Sequence, residues 1–309
     1  MKVAGDAGAA GLIPTTDRFG AALSDIVRCS HCGHMQLAAF PSAGQLNEAY
    51  GEASSDDYIA EEPGQRLTAR RLLRRLEART AGRDILDLGC WVGFLLAEAE
   101  GRGWNGLGIE PSEFASGYAR DRLGLNVLTT DLFSPDLPLD AFDAVVLADV
   151  IEHLVDPGAA LERIKAFLRP GGLVTLVLPD AGSLLARLMG PKWWSVIPTH
   201  VQYFTRNSLS HIMRDHGYTV LEMGTAPKAF TVGYYLERLS GYSKLGAGLL
   251  GWLAKRLGIA HRLWSPDFRD RMFVIASVTA PGDVGLAETN IQVSARLRSG
   301  EWNACESLS

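Results

Sequence analysis

Apolar and polar positions follow two alternating patterns from residue 83 onward. Short apolar runs, read as DILDLG, NGLGIE, NVLTTD, FDAVVLAD and LVTLVLPD, are separated by segments in which apolar residues recur every three or four positions. Runs that are apolar throughout are typical of strands buried on both faces of a parallel sheet. Because the intervening segments have the length and period of helices, the pattern predicts an α/β fold with a doubly wound, mostly parallel sheet.

Two helices are predicted with particular detail. The segment RLTARRLLRRLEART places Ala69, Leu72, Leu73 and Leu76 on one face of an amphipathic helix. Its opposite face carries arginines, which we interpret as a solvated surface, with contact to a phosphorylated substrate as the alternative. A later segment, PGAALERIKAFLRPGG, predicts a helix that starts near Pro157 and is stopped by its Pro-Gly-Gly triplet.

The chain is predicted to consist of one main domain with attached segments. Residues 1–64 form an N-terminal cap that contains a cysteine pair, and residues 65–281 form the main domain. Within this domain, the aromatic-rich segment 190–206 is predicted to act as a lid. A largely helical insertion, 226–268, precedes the last strand, which is read as DRMFVIASVTA. Residues 282–309 show no periodicity and are predicted to be a disordered tail.

The composition excludes several classes of function. Of the 309 residues 47% are hydrophobic, enough for a sizeable core, and the formal net charge is −5. A chain of this charge has no general basic surface, so nucleic acid is not an expected partner.

The sequence shows no targeting or membrane-spanning pattern. The N-terminus lacks the apolar run of a signal peptide. The longest later apolar stretch, LGAGLLGWLAKRLGIA, is interrupted by Lys255 and Arg256 and is shorter than the roughly 20 residues that span a bilayer. We therefore expect a soluble, cytoplasmic protein.

One strand–turn–helix unit, DILDLGCWVGF, has the layout of a nucleotide-binding turn. Gly89 and Gly93 allow the chain to turn tightly, and the following helix presents its N-terminal amides. Glu110 ends the next strand about 20 residues further on, where a carboxylate binds ribose hydroxyls. Asp131, at the end of the third strand, is placed to meet an adenine amino group. Trp91 stands where a dinucleotide-binding turn has glycine, so an adenosyl ligand without a pyrophosphate is favoured.

These motifs resemble those of the class I S-adenosylmethionine-dependent methyltransferases. The matching stretches are DILDLGCWVG, GIEPS, TTDLF, FDAVVLADVIEHLVDP and LRPGGLVTLVLPD. The resemblance implies a Rossmann-like sheet of seven strands in the order 3-2-1-4-5-7-6. It implies S-adenosylmethionine as the cofactor and S-adenosylhomocysteine as the product.

The resemblance also implies which residues bind the cofactor. They are Asp87, Gly89, Cys90, Trp91, Gly93, Glu110, Pro111, Asp131, Leu132, Ala148 and Asp149. In such enzymes the turn after the first strand holds the methionine part, and Ala148 and Asp149 lie near the sulfonium. We expect Trp91 to contact the methionine end.

Two histidines are candidates for a catalytic base. His153 follows the fourth strand in DVIEHLVDP, and His200 lies in the aromatic segment WWSVIPTHVQYFTRNSL. Histidine is the side chain that most readily exchanges a proton near neutral pH. Both segments resemble those of methyltransferases that act on sugars and quinone-like phenols, in which such histidines line the acceptor pocket. Tyr203 would then be a supporting hydroxyl. The alternative is that each histidine only packs and shapes the pocket.

The cysteine pair Cys29 and Cys32 is a candidate zinc site. A structural zinc ion needs four ligands, usually from two such pairs, and residues 1–28 contain no cysteine or histidine. The segment resembles the N-terminal zinc module of sugar C-methyltransferases with its upstream pair missing. We interpret it as a degenerate remnant that does not bind zinc. Ligands from a second subunit remain an alternative, and a redox dithiol is disfavoured because no thioredoxin-like context surrounds the pair.

The sequence therefore predicts a methyltransferase that acts on a small molecule. We expect O-methylation of a sugar-containing or phenolic metabolite, with His200 or His153 accepting the proton. The alternatives are C-methylation of a ketosugar nucleotide and methylation of a lipid-linked glycan, which membrane contact through the insertion would allow. A non-catalytic binding module with a degenerate cofactor site is the alternative from another class. Whether the chain forms a homodimer is left open.

Overall fold

A computed structural model describes residues 20–41 and 56–279. The predicted tail and part of the predicted cap lie outside these residues. The strands are β1 (Ile26–Arg28), β2 (Met35–Leu37), β3 (Asp84–Leu88), β4 (Asn105–Ile109), β5 (Val127–Leu128), β6 (Phe142–Ala148), β7 (Leu168–Pro179), β8 (Gln202–Tyr203), β9 (Tyr218–Thr225), β10 (Phe230–Thr231), β11 (Leu263–Trp264) and β12 (Arg271–Val278). The α-helices are α1 (Asp56–Ala60), α2 (Glu62–Glu77), α3 (Phe94–Glu100), α4 (Glu113–Leu123), α5 (Pro157–Phe167), α6 (Leu184–Met189), α7 (Arg206–Asp215), α8 (Val232–Arg238) and α9 (Lys244–Arg256).

Seven strands form the central sheet in the order β5-β4-β3-β6-β7-β12-β9. The strands from β5 to β7 are parallel, and β12 runs antiparallel to both β7 and β9. With these strands numbered in chain order, the arrangement is the predicted 3-2-1-4-5-7-6, so the predicted fold class is confirmed. In such a sheet ligands bind beyond the carboxyl ends of the strands, where the strand order reverses. That point lies between β3 and β6.

Helix α2 packs on the sheet as its periodicity predicted. Ala69, Leu72, Leu73 and Leu76 are all buried, so that prediction is confirmed. Its arginine face is only partly solvated. The guanidinium of Arg75 lies 4.4 Å from the ring centroid of Phe273 on β12, which places its cation over an aromatic face.

Two predicted boundaries are wrong. Strand β7 begins at Leu168 and not at Leu173, because the Pro-Gly-Gly triplet lies in its first, irregular part, whereas helix α5 begins at Pro157 and ends before the triplet as predicted. The third strand is only Val127–Leu128, so Asp131 lies in the loop beyond it. There the Asp131 side chain accepts a hydrogen bond from the backbone of Phe133 at 2.8 Å, a local turn that takes the chain out of the sheet.

A second, three-stranded sheet joins the N-terminal hairpin to the segment predicted as a lid. Its order is β1-β2-β8, with all pairings antiparallel. Ile26 and Leu37 of the hairpin are buried in one cluster with Trp193, Val196 and Tyr203. The hairpin is therefore packed against the 190–206 segment.

The insertion between β9 and β12 has its own small ladder. Strands β10 and β11 pair antiparallel, and helices α8 and α9 lie between them in the chain. Glu61, just before α2, accepts hydrogen bonds from the backbone and hydroxyl of Thr231, both at 2.6 Å. This contact fixes one end of the insertion to the main domain. None of the helices in the described ranges has the length and apolar character needed to cross a membrane.

Candidate functional site

In the loop after β3, three alternate residues adopt the left-handed backbone region. Gly89, Trp91 and Gly93 have φ of 70°, 50° and 84°. A Cβ atom on Gly89 would lie 2.6 Å from Val150, and one on Gly93 would lie 2.5 Å from Leu125, so both positions require glycine. Trp91 adopts the left-handed region despite its side chain, at a cost on the order of 1 kcal/mol. Strain of this kind is typical of functional loops.

Glu110, at the end of β4, holds this loop in place. One carboxylate oxygen accepts the Trp91 amide and the other accepts the Ser112 amide, both at 2.9 Å. Burial raises the pKa of Glu110, and the two amide hydrogen bonds oppose that shift. Burial also raises the pKa of the neighbouring Asp87 to about 7, with the charge of Glu110 adding to the effect. Two of the predicted cofactor-binding acids, Asp87 and Glu110, thus lie buried at one edge of the turn.

A cavity of about 630 Å³ opens over this turn. Among its walls are the predicted residues Asp87, Gly89, Cys90, Trp91, Ala148 and Asp149. The indole nitrogen of Trp91 is buried and has no hydrogen-bond partner in the described structure, and Tyr58 contacts the indole edge to face. A buried donor without a partner is costly, and a ligand oxygen would satisfy it.

The remaining predicted cofactor residues do not border this cavity. Gly93 caps α3, and Pro111 follows Glu110 at the end of β4. Leu132 is buried in the core cluster, and Asp131 is bonded to its own loop. The turn and the β6 end thus come together around the cavity, whereas the predicted adenine-binding residues lie outside its wall.

Asp149, directly after β6, is held by two basic residues. Its carboxylate forms ion pairs with Arg271, the first residue of β12, and with Lys228, at the start of the insertion. Although burial opposes the charge, these two cations hold the pKa of Asp149 well below its usual range. Sequence reasoning missed both partners. Asp149 also has a left-handed backbone, with φ of 60°.

The two candidate bases, His153 and His200, face each other. Their ring centroids are 4.6 Å apart in an edge-to-face arrangement. The Nδ1 of His153 lies 2.9 Å from the Thr199 carbonyl oxygen, and the Nδ1 of His200 lies 2.8 Å from the Ser195 carbonyl oxygen. Because a carbonyl can only accept, Nδ1 is the donor in each ring, and the lone pair of each neutral imidazole is on Nε2.

Burial sets the protonation state of this histidine pair. Desolvation lowers the pKa of His153 to about 4 and that of His200 well below its ordinary value. The charge of Asp149 acts in the opposite direction on both. Neither histidine is among the described residues that line the cavity over the turn. Both rings are therefore neutral near pH 7.

Glu152 completes this group, and sequence reasoning did not single it out. Its carboxyl is buried, and neither oxygen has a hydrogen-bond partner among the described residues. Burial, and then the charge of Asp149, raises the pKa of Glu152 to about 8. One ligand atom from each of Glu152, His153 and His200 lies within 4.8 Å of the others, so the group could hold a divalent cation.

Tyr203, predicted as a supporting hydroxyl, lies next to His200. Their rings are 6.4 Å apart, and the buried Tyr203 hydroxyl has no hydrogen-bond partner in the described structure. Burial raises the pKa of that phenol above its ordinary value. The backbone of Val201 donates to the Glu152 carbonyl at 3.0 Å, which fixes the 190–206 segment against the turn that carries His153.

The cysteine pair lies in the turn of the N-terminal hairpin. Cys29 and Cys32 form no disulfide, and burial raises the pKa of Cys32. His34 is directed away into the β1-β2-β8 sheet, where its Nε2 lies 2.8 Å from the Gln202 amide oxygen. Within the described residues, the cysteines are not part of a cluster of three or more metal-binding side chains. Whether the pair binds zinc stays untested.

A family model described as a methyltransferase domain matches residues 60–223, just over half of the chain. The chain belongs to this methyltransferase domain family. The matched residues include the turn after β3, Glu110, Asp149 and both histidines. With this assignment the predicted family is confirmed, and so is S-adenosylmethionine as the family's cofactor.

Relatives of this methyltransferase domain match it over part of their length. The ubiquinone biosynthesis O-methyltransferase of Bradyrhizobium diazoefficiens is 32% identical over 100 residues, which cover 31% of this chain and 39% of the relative. The enzyme of the same name from Aeromonas salmonicida is 26% identical, over 53% of this chain and 71% of its own. An uncharacterized 37.1 kDa protein in transposon TN4556 of Streptomyces fradiae is 26% identical, over 74% of this chain and 72% of its own. The chain spans about two fifths of the first relatives' length.

A solved structure has the same fold. It is a chain of the complex between the Haloferax volcanii Trm112 methyltransferase activator and a methyltransferase. The similarity has a TM-score of 0.50 at 17% identity, and it covers 73% of this chain and 96% of that chain. At this identity the likeness concerns the fold of the methyltransferase domain alone.

Proposed function

We propose that this protein transfers a methyl group from S-adenosylmethionine to an oxygen of a small sugar-containing or phenolic acceptor. The observation that carries the proposal is the edge-to-face pair of neutral histidines, His200 buried and His153 half-buried, with His153 in the turn that follows β6. O-methylation is also what the names of the ubiquinone biosynthesis relatives state for those proteins. Their limited coverage keeps the activity and acceptor of this chain a proposal.

The residues around the cavity fit an adenosyl ligand without a pyrophosphate. Trp91 fills the middle of the turn where a pyrophosphate would need glycine, and its side chain lines a ligand-sized cavity. Glu110 keeps the turn in its strained conformation through two backbone amides. S-adenosylmethionine, when bound, supplies a methyl group already activated on its sulfonium.

The histidine pair is proposed to orient the acceptor hydroxyl and take its proton. An Nε2 lone pair accepts the hydroxyl proton as the oxygen bonds to the methyl carbon, and the carbon–sulfur electrons stay on sulfur. Thr199 and Ser195 carbonyls stabilise the resulting imidazolium through its Nδ1–H. Glu152 carries a proton at neutral pH and can donate a hydrogen bond to the acceptor.

A ketosugar nucleotide is the second candidate acceptor, and the arginines of α2 favour it. Arg71 and Arg74 line the cavity, and within the described residues neither has an ion-pair partner; Arg71 donates to the Ser265 hydroxyl at 2.6 Å. Diphosphates are commonly bound by such guanidinium groups. Here the reaction would be C-methylation. An Arg74→Met variant should raise the KM for a sugar nucleotide and leave that for a neutral phenol unchanged.

Two measurements test the proposal. Calorimetric titration with S-adenosylhomocysteine should show binding, and no binding at millimolar ligand would reject catalysis in favour of a binding module.

The second measurement concerns the histidines. With an acceptor found in a panel of phenols, sugars and sugar nucleotides, His153→Ala or His200→Ala should lower kcat by roughly 10²-fold or more and leave cofactor affinity intact. The exposed His261 provides the matched His261→Ala control. Full activity in both variants would make the pair a packing feature. Loss of activity in EDTA that a divalent cation restores would replace the base with a metal ion.

A further inference from the structure

Helix α9 buries its small side chains and exposes its large ones. Ala247 and Ala254 are its buried residues. By contrast, the exposed fractions of Leu245, Leu249 and Trp252 are 90%, 66% and 58%. A helix held in a protein core places leucine and tryptophan inward and leaves alanine outside. The reversed arrangement of α9 therefore leaves a large apolar face without a partner in the described structure.

The apolar face extends along the whole helix and beyond its end. Leu257, just after α9, is 62% exposed, and Leu250 and Leu253 add further exposed area. Contiguous apolar patches of this size on a protein surface mark contacts with another protein or with a membrane. Among the described elements, α9 has its most extensive contacts with α8 and the short turn 239–241, and the residues that these contacts bury on α9 are alanines.

Charge distinguishes between these two occupants. Residues 238–262 contain five basic side chains and no aspartate or glutamate, in a chain whose net charge is −5. The basic residues are Arg238, Lys244, Lys255, Arg256 and Arg262. The guanidinium of Arg256 lies 5.5 Å from the ring centroid of Trp252, so aromatic and cation are adjacent. Leucine and tryptophan beside lysine and arginine, without acids, is the composition of helices that lie in the interface of an anionic bilayer.

We propose that α9 docks this protein on an anionic lipid surface, with Leu245, Leu249 and Trp252 entering the headgroup region. Lys255 and Arg256 bind the lipid headgroups. Docking is peripheral, since α9 has only 13 residues. The insertion that carries α9 contributes Lys228 and Phe230 near its start and Ser265 near its end to the cavity wall. Docking therefore holds the cavity close to the lipid surface.

Vesicle co-sedimentation of the full chain tests the proposal. The wild type should sediment with phosphatidylcholine vesicles that contain about 30% phosphatidylglycerol, and much less with pure phosphatidylcholine. Replacing both exposed leucines, Leu245→Gln with Leu249→Gln, should weaken binding at least about tenfold. Glutamine keeps the helix propensity, so the melting temperature should be unchanged. The control is Leu139→Gln, which alters a leucine 54% exposed elsewhere on the surface.

Three outcomes would overturn the proposal. The first is a wild type that stays in the supernatant with anionic vesicles at low salt, and the second is a Leu139→Gln control that loses binding to the same extent. The third is a wild-type dimer in ultracentrifugation that the two leucine substitutions dissociate, which would assign this face to a second copy of the chain. Because sedimentation requires no methyl transfer, its result is independent of the proposed function.

Discussion

His153 and His200 lie edge to face, with ring centroids 4.6 Å apart, although 46 residues separate them in the chain. Each ring uses Nδ1 to donate to a backbone carbonyl, and each is held neutral by burial. The pair is thus organised so that proton acceptance is confined to Nε2. That arrangement determines how the protein should respond to pH.

The first prediction concerns the pH dependence of turnover. Burial lowers the pKa of His153 to about 4, so the ring is already deprotonated and able to accept a proton throughout the neutral range. We expect kcat/KM to be flat between about pH 6 and 7, to fall below about pH 5, and to fall again above about pH 8, where Glu152 loses the proton that it donates to the acceptor. The measurement is a pH–rate profile at saturating cofactor. An acidic limb centred between 6 and 7 would show that the base is a solvated histidine and not this pair.

A second prediction concerns stability in acid. The pKa of His153 is lowered on folding, so the unfolded chain binds more protons than the folded protein once the pH falls below about 6.5. The contribution of His153 to the free energy of unfolding should therefore be constant above that pH and decrease progressively towards pH 4. Urea titrations at several pH values measure this contribution as the difference between the wild type and His153→Phe, because the raised pKa values of Asp87 and Glu152 act in the opposite direction in both proteins. His261→Phe should follow the wild type.

Glu110 gives a third prediction. Its carboxylate accepts two backbone amides, so Glu110→Ala leaves both donors without that partner and also removes the predicted ribose contact. We expect S-adenosylhomocysteine affinity to fall at least about tenfold, and the free energy of unfolding to fall by about 2 kcal/mol. Calorimetry and chemical denaturation measure the two effects. The exposed Glu113, in the first turn of α4, provides the control Glu113→Ala; a similar loss there would contradict a specific role.

Trp91 gives the fourth prediction. Glycine relieves the left-handed strain at this position but removes an indole that borders the cavity and contacts Tyr58. We expect Trp91→Gly to weaken S-adenosylhomocysteine binding by roughly tenfold, because the ligand loses a rigid aromatic contact. The same calorimetric titration measures it, with Trp252→Gly as a control far along the chain. Unchanged affinity in Trp91→Gly would place the indole in a packing role.

The fifth prediction concerns the ion pairs of Asp149. Arg271→Met leaves that carboxylate with Lys228 as its remaining cation, in a partly buried position. Breaking such a pair typically costs a few kcal/mol, so we expect a loss of about 2–3 kcal/mol in the free energy of unfolding. Chemical denaturation tests this. Arg262→Met, at an exposed arginine, should change stability by less than about 0.5 kcal/mol.

Periodicity was sufficient to predict most of the fold. The alternation of apolar runs with helical segments gave the central sheet, and the spacing of Leu72, Leu73 and Leu76 gave the buried face of α2. These predictions succeed because each depends only on which residues of a segment are buried. Buried positions recur about every 2.0 residues in a strand and every 3.6 residues in a helix, so the sequence pattern shows them directly. The third strand was overextended because the Asp131 side chain bonds its own loop, a contact that apolar patterning does not record.

The site was predictable only where a motif marks it. The turn after β3, Glu110 and the two histidines carry recognisable local signals, and the structure brings the histidines together. Glu152 was missed because a glutamate beside a histidine is ordinary in sequence, and only its burial without a partner distinguishes it. Arg271 was missed because it meets Asp149 across 122 residues, a distance over which one sequence gives no pairing signal.

The pairing of β2 with β8 has a consequence for how the chain is made. His34 and Gln202 are bonded across 168 residues, and β2 has no second neighbour until β8 is present. During synthesis the hairpin therefore emerges with an open edge, and it stays open while the whole central βαβ portion is translated. Closure of that edge also fixes the segment that carries His200. The proposed acceptor side is consequently completed only after β8 is synthesised, from the N-terminal hairpin and the middle third of the sequence.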